Sequence, residues 1–334
     1  MTQKSPDEIN VPALHQIGIA VRDVDKVVQN YWNILGIGPW NIITLQDISK
    51  RMYRGKPAYF ETKAALAQVG SVELEVTQTL EGHTTYCDFL AEHGEGAHHL
   101  QYLVDSDAQV DKHLEIMTKK GFPPVMSGRV GNNGAFAYSD TVSALATIWE
   151  SVKMPDVFGA PIVQYPADES AISPAKIKVK EIKQVSLAVK NLEETMKNYW
   201  NLFGIGPWNI VDCTPPFFHN LTYYGKSASF TLRAGWTKCG PVELELIQPV
   251  AGDGLGRDHL CKHGEGINHL AFAVDDVEET VRLMEAEGFP CVQYGKIASD
   301  GAYAYFDTLG LLKVYWEAFK LPTTSLPISI RYPE

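Results

Sequence analysis

Four polar residues recur in the same order in the two halves of this chain: Gln16, Glu75, His99 and Glu150, then Gln184, Glu245, His269 and Glu317. Each lies in or at the end of a short apolar run: QIGIAV, VELEV, HLQYLV and TIWE in the first half. A carboxylate inside such a run is costly to bury unless a cation compensates it. Taken singly, each acid could face water on an open sheet, as most carboxylates do. The recurrence of the whole set points instead to a divalent metal ion, with room for one per half. One imidazole with oxygen donors suits Zn, Mn, Co, Ni or Fe better than a thiolate-type site.

Strand alternation sorts the neighbours of these residues. In QIGIAV, Ile17, Ile19 and Val21 form one bulky face, and Gln16, Gly18 and Ala20 the other. The bulky face belongs under a helix and the small face, headed by Gln16, opens on a cleft. In HLQYLV, Leu100, Tyr102 and Val104 take the packed side and His99 heads the other. His15 and His98 have the wrong parity and answer to Lys183 and Asn268, so neither is expected as a ligand. Glu73 shares the parity of Glu75. Glu61 is a second candidate base, but Thr231 stands at its place in the other half and a solvent-facing side chain is expected.

The elements that must position these residues are duplicated along the chain. NYWNILGIGPWNI at 30–42 returns as NYWNLFGIGPWNI at 198–210, HGEGAHHL at 93–100 as HGEGINHL at 263–270, and GAFAYSDT at 134–141 as GAYAYFDT at 301–308. One ancestral domain is used twice. Each copy divides again into two units of strand, amphipathic helix and three strands, so the expected fold is α+β: four βαβββ modules. The expected boundaries are 12–152 for the first domain, 153–179 for a Pro- and Ala-rich linker, 180–320 for the second domain and 321–334 for a C-terminal tail. In GIGPW, Gly36 is placed to end a helix in the left-handed conformation, and Gly38-Pro39 turns the chain into the next strand. Trp40 and Trp208 are expected to pack between strand and helix. His93 and His263 are expected in a turn, with a proton shuttle at the cleft rim as the alternative. Tyr138 and Tyr305 are read as core or pocket wall, Asp140 and Asp307 as turn residues.

Composition narrows the function class. A chain of 334 residues that is 45% hydrophobic can bury two cores, and its net charge of -11 with no basic stretch disfavours a nucleic-acid partner. The start MTQKSPDEIN is polar and no apolar run reaches the length of a membrane span, which predicts a cytoplasmic protein without a membrane partner. Five cysteines without CxxC spacing are expected to be reduced.

In this order and spacing, QIGIAVRD, VELEVTQ, HHLQYLVD and IWE resemble the vicinal oxygen chelate superfamily, which includes glyoxalase I, methylmalonyl-CoA epimerase, extradiol dioxygenases and fosfomycin-resistance proteins. The resemblance covers both copies. It implies two tandem domains with cupped mixed sheets, and divalent metal at Gln16, Glu75, His99 and Glu150 and at Gln184, Glu245, His269 and Glu317, the ligand types of zinc-type glyoxalase I. It also implies that Glu150 or Glu317 can leave the metal and act as the base. Departures from the family's patterns limit the analogy. Ala20 and Ala188 replace the arginine, and Thr79 and Pro249 the asparagine, expected of a glutathione-using glyoxalase; Gln16 and Gln184 replace the first histidine of an extradiol dioxygenase. The reading is therefore a metal-dependent isomerase or epimerase, or a related lyase, that acts through a metal-stabilised enolate on a small-molecule carbonyl substrate, as a monomer or homodimer. Alternatives are a non-catalytic protein that binds or sequesters a small molecule and, behind it, a ring-cleaving dioxygenase.

Overall fold

The structure, a computed structural model, describes residues 9–157, 161–168 and 170–333. The first half runs β1 (Gln16–Ala20), α1 (Val24–Leu35), β2 (Trp40–Leu45), β3 (Ser49–Tyr53), β4 (Lys56–Pro57), β5 (Phe60–Val69) and β6 (Val72–Gly82). It continues with α2 (Thr85–Glu92), β7 (Gly96–Leu103), α3 (Asp107–Lys119), β8 (Pro124–Val130), β9 (Gly134–Ser139), α4 (Val142–Leu145), β10 (Ile148–Lys153) and β11 (Ile162–Tyr165). The second half repeats the pattern with β12 (Gln184–Ala188), α5 (Leu192–Phe203), β13 (Trp208–Cys213), β14 (Phe218–Tyr223), β15 (Lys226–Ser227), β16 (Thr231–Cys239) and β17 (Val242–Ala251). It ends with α6 (Leu255–His263), β18 (Gly266–Ala273), α7 (Val277–Ala286), β19 (Cys291–Ile297), β20 (Gly301–Phe306), α8 (Leu309–Leu312), β21 (Tyr315–Lys320) and β22 (Ile328–Tyr332).

Each half forms one mixed sheet, and the two βαβββ modules of a half meet where β1 pairs antiparallel with β7, or β12 with β18. The first sheet reads β1-β6-β5-β2 outward from that seam on one side and β7-β10-β9-β8 on the other. Two features lie outside the modules. The hairpin β3-β4 extends the β8 edge, and β11 pairs antiparallel with β2. The segment expected as a linker thus contributes an edge strand, and the expected tail does the same, since β22 pairs with β13. PIVQY and PISIRY are therefore also copies, which cover the open hydrogen-bonding edge of β2 and of β13. Residues 158–160 and 169 of the expected linker, and 334 of the expected tail, lie outside the described residues.

The helices form for local reasons. Asp23 caps α1 by accepting from Lys26 N at 3.0 Å, and Val24, Val27, Val28, Tyr31 and Leu35 fall on one buried stripe. Gly36 closes the helix at φ 65°, as GIGPW predicts. Trp40 is fully buried, donates its indole N–H to Ile37 O at 2.7 Å and packs 5.6 Å from the Tyr31 ring, which settles it as core.

The helix faces of both sheets share a single core. The halves meet there through reciprocal contacts: Tyr31 OH donates to Leu312 O at 2.7 Å and Tyr199 OH to Leu145 O at 2.8 Å. Asn30 and Asn198 donate in the same way to Leu311 O and Ala144 O, both at 3.1 Å. The approach segments cross over as well. Val11 N donates to Phe203 O at 2.9 Å and Leu14 N to Cys239 O at 3.2 Å, while Val179 N donates to Leu35 O at 2.8 Å and Ile182 N to Val69 O at 3.3 Å. A separate apolar cluster lines the concave face of each sheet, and that is where the recurring polar residues point. Among the described residues no helix is long and apolar enough to cross a membrane.

Candidate functional site

Strand register determines which donors meet. Parallel pairing sets Gly18 beside Glu75, and antiparallel pairing sets Gly18 beside His99. On β10, parallel to β7, Glu150 lies two residues along from His99, beside Gln101. His99 Nε2 lies 3.3 Å from a Glu75 oxygen and 3.5 Å from a Glu150 oxygen, with the imidazole fully buried. In the second half His269 Nε2 lies 3.4 Å from Glu245 and 3.1 Å from Glu317. Separations of about 3.0–3.4 Å are the edges of a coordination polyhedron with bonds of about 2.1 Å. The compact part of each set is thus one nitrogen and two oxygens. Gln16 and Gln184 open on the same cavities, and each donates its amide to a neighbouring acid, Glu73 at 2.6 Å and Glu243 at 2.8 Å.

Burial sets the electrostatics. It pushes Glu150 up to about 7, with His99 opposing the shift and Glu75 adding to it. Glu245 is likewise pushed to about 7 by burial, with His269 opposing and Glu317 adding. Burial pulls His99 down, but the facing Glu75 and Glu150 more than offset it, so the imidazole stands above its ordinary value.

Behind each imidazole is a holder that the sequence did not reveal. His98 Nδ1 faces His99 Nδ1 at 3.0 Å, and its own Nε2 meets Thr85 Oγ1 at 3.2 Å. Burial keeps His98 well below its ordinary value and therefore neutral, so its Nδ1 can accept the His99 N–H. Asn268 does the same for His269, its Oδ1 lying 2.9 Å from Nδ1. With the protons assigned from this network, both Nε2 atoms turn a lone pair towards the carboxylates. His98 and Asn268 meet the imidazoles from the Nδ1 side, away from the carboxylates; this placement was missed because they are different residues.

Glu61 stays out of the cup, as expected, and only the rim alternative for His93 and His263 is not met. His93 and His263 end α2 and α6 and line a cavity of about 60 Å³ between the halves, with His259, Glu95 and Lys313, so they do not sit at the rim of either cup. Glu61 accepts from Tyr59 OH and is absent from the cup lining. His15 is tied to Gln101, its Nδ1 lying 2.9 Å from Gln101 Oε1. Tyr138 and Tyr305 are pocket wall, their rings edge-on to His99 and His269 at 5.2 and 4.8 Å. Asp140 takes the expected turn after β9, where its N–H donates to Pro123 O.

The cups differ in size although their donors match. The first cavity is about 90 Å³ and the second about 210 Å³. In the first, Gln101 donates to Gln16 Oε1 at 2.8 Å and to Glu150 at 3.1 Å; Ala271 stands at its place in the second. Tyr86, hydrogen-bonded to Tyr138 at 2.7 Å, also fills the first cup where the second has Gly256. The sequence carried this signal only as mismatches between otherwise matching strands.

The sequence profile of the Glyoxalase/Bleomycin resistance protein/Dioxygenase superfamily matches residues 15–138 and again 183–306. The chain belongs to this superfamily. Both of its cups are built from a duplicated superfamily domain, although the matched ranges stop short of Glu150 and Glu317. No curated protein matches the chain in sequence. Among solved structures, a triple mutant of 4-hydroxymandelate synthase from Streptomyces coelicolor superposes with TM-score 0.57 at 16% identity, covering 93% of each chain. A xylose isomerase-like TIM barrel/4-hydroxyphenylpyruvate dioxygenase fusion protein gives 0.51 at 14% identity, and the match spans 98% of this chain but 51% of that one. At these identities the likeness is one of fold. Proteins of the superfamily typically bind a divalent metal ion and act on small molecules.

Proposed function

We propose that this superfamily member is a metal-dependent isomerase or epimerase, or a related lyase, that moves a proton at a carbon next to a carbonyl group of a small-molecule substrate. Gln16, Glu75, His99 and Glu150 would hold one divalent ion, and Gln184, Glu245, His269 and Glu317 a second. One observation carries the reading. His99 Nε2 and a Glu75 oxygen, and likewise His269 Nε2 and a Glu245 oxygen, are buried without a hydrogen-bond partner. Buried polar atoms are rarely left so, and with each Nδ1 donating, a neutral imidazole and ionised carboxylates would present only lone pairs to one another. A single cation satisfies all of them at once.

When bound, a divalent ion would act as a Lewis acid on a substrate oxygen. The rest of the chemistry falls to side chains. Glu150 reaches into the first cup, where burial makes its carboxylate take up a proton more readily than it would in solvent, and Glu317 holds the matching place in the second. A proton taken from the carbon and returned to another position or face gives isomerisation or epimerisation; loss of a neighbouring leaving group gives elimination. The holders His98 and Asn268 keep each imidazole in one orientation throughout.

The test is solvent-deuterium wash-in over α-hydroxy ketones, 2-substituted acyl-CoAs and aromatic ketones, with metal analysis after chelation and reconstitution. Two equivalents of metal are expected. The Glu150→Gln/Glu317→Gln double variant should keep much of its metal and lose α-proton exchange. Metal content well below one equivalent would refute the metal reading, and full exchange in the metal-loaded double variant would move the base elsewhere.

A further inference from the structure

Resting on that metal reading, the difference between the cups has a specific consequence. We propose that the second cup takes a substrate with a ring-sized apolar group beside its oxygen pair, and that Gln101 closes the first cup to such a group. The volumes decide the matter of size. An apolar cavity of about 150 Å³ is large enough to hold benzene. The second cup, at about 210 Å³, exceeds that and the first, at about 90 Å³, falls short. The wall of the second is also the right chemistry, since Phe218, Phe230, Trp236, Tyr303 and Phe319 surround the acids that would face the ion. Aromatic walls suit a planar apolar guest through offset and edge contacts.

Gln101 is the specificity-determining residue because of where it is fixed. Its amide bridges Gln16 and Glu150, and His15 tethers its oxygen from behind, so its three neighbours hold it across the space in front of the donors. In the second half the bridge and the tether are both absent: Ala271 has no amide, and Lys183 pairs with Glu181 instead. Met126 and Gln293 reinforce the difference. Both line their cups, but Gln293 is drawn aside by accepting from Leu255 N at 2.8 Å, at the start of α6.

The test uses the full chain reconstituted with Co(II) and two probes that present the same pair of oxygens, acetohydroxamate with a methyl group and benzohydroxamate with a phenyl group. Calorimetric titration, with the Co(II) visible spectrum as a second readout, should count two acetohydroxamates but one benzohydroxamate per chain. Ala271→Gln should abolish the benzohydroxamate site and leave both acetohydroxamate sites, and Gln101→Ala should create a second benzohydroxamate site. Two benzohydroxamates on the unaltered chain, or a benzohydroxamate site that survives Ala271→Gln, overturns the proposal and leaves the metal reading standing. A folded Gln101→Ala chain with no second benzohydroxamate site removes Gln101 from its role. If Gln101→Ala fails to fold, the Ala271→Gln arm and the unaltered chain still decide. Failure to retain Co(II) at all, with neither probe bound, sinks the metal reading and this one together.

Discussion

The two cups hold the same donors on different supports. Behind His99 stands His98, and behind His269 stands Asn268. Beside His99 lies Gly18, where a Cβ would come within 1.8 Å of the imidazole; Ser186 occupies that place in the second half. The His99 ring leans over the glycine and sits nearer Glu75, whereas His269 sits nearer Glu317. Donor identity and register are thus kept while packing and hydrogen bonding around them have been rebuilt. The strand pairing fixes where three side chains converge, with a glutamine at their margin, and the neighbours decide how much room is left in front of them.

The comparison breaks most sharply at the histidines. His99→Ala should empty the first metal site and leave the second, and His269→Ala the reverse, each read as the loss of one equivalent by metal analysis. Simultaneous emptying of both would show that the sets do not act separately, against the expectation for sites that share no partners. Next in size is the glycine. Gly18→Ala must displace the His99 ring and should cost about 3 kcal/mol by denaturant unfolding, whereas Ser186→Ala should cost about 1 kcal/mol or less. Equal costs would mean that the leaning imidazole is not a fixed feature of the first cup.

The holders come third. Asn268→Ala and His98→Ala should each weaken metal binding at their own site by about 10- to 100-fold, while Asn268→His, which installs the first half's own solution, should retain most of it. Unchanged affinity in both alanine variants would reduce the holders to packing. The smallest effect belongs to the shared interface, where the halves are alike: Tyr31→Phe and Tyr199→Phe should each lose about 1 kcal/mol. A large inequality between them would show that the pseudo-symmetric latch is not symmetric in energy.

The sequence disclosed which polar side chains converge because they recur, and the modules because strand alternation and helix stripes recur with them. It concealed whatever differs between the copies. Gln101 was passed over because Ala271 answers it, and His98 because Asn268 does, although a neutral imidazole nitrogen and an amide oxygen accept the same hydrogen bond. Edge strands β11 and β22 were missed for another reason. PIVQY and PISIRY differ in length by one residue, and a short strand earns its structure from the edge it covers rather than from its own pattern. The rim alternative for the HGEG histidines fails because a local repeat cannot say which of two cavities a helix end will face.

The crossed approach segments bear on how the chain assembles. Residues leading into β1 are bonded to the second half, and those leading into β12 to the first, so each half is finished by backbone that belongs to the other. A polypeptide cut between the halves would leave both with an uncovered flank and part of the common core exposed. Gain or loss of structure should therefore propagate from one half to the other as a single cooperative event, and the two cups, each with its own candidate ligands, stand or fall on one folding equilibrium.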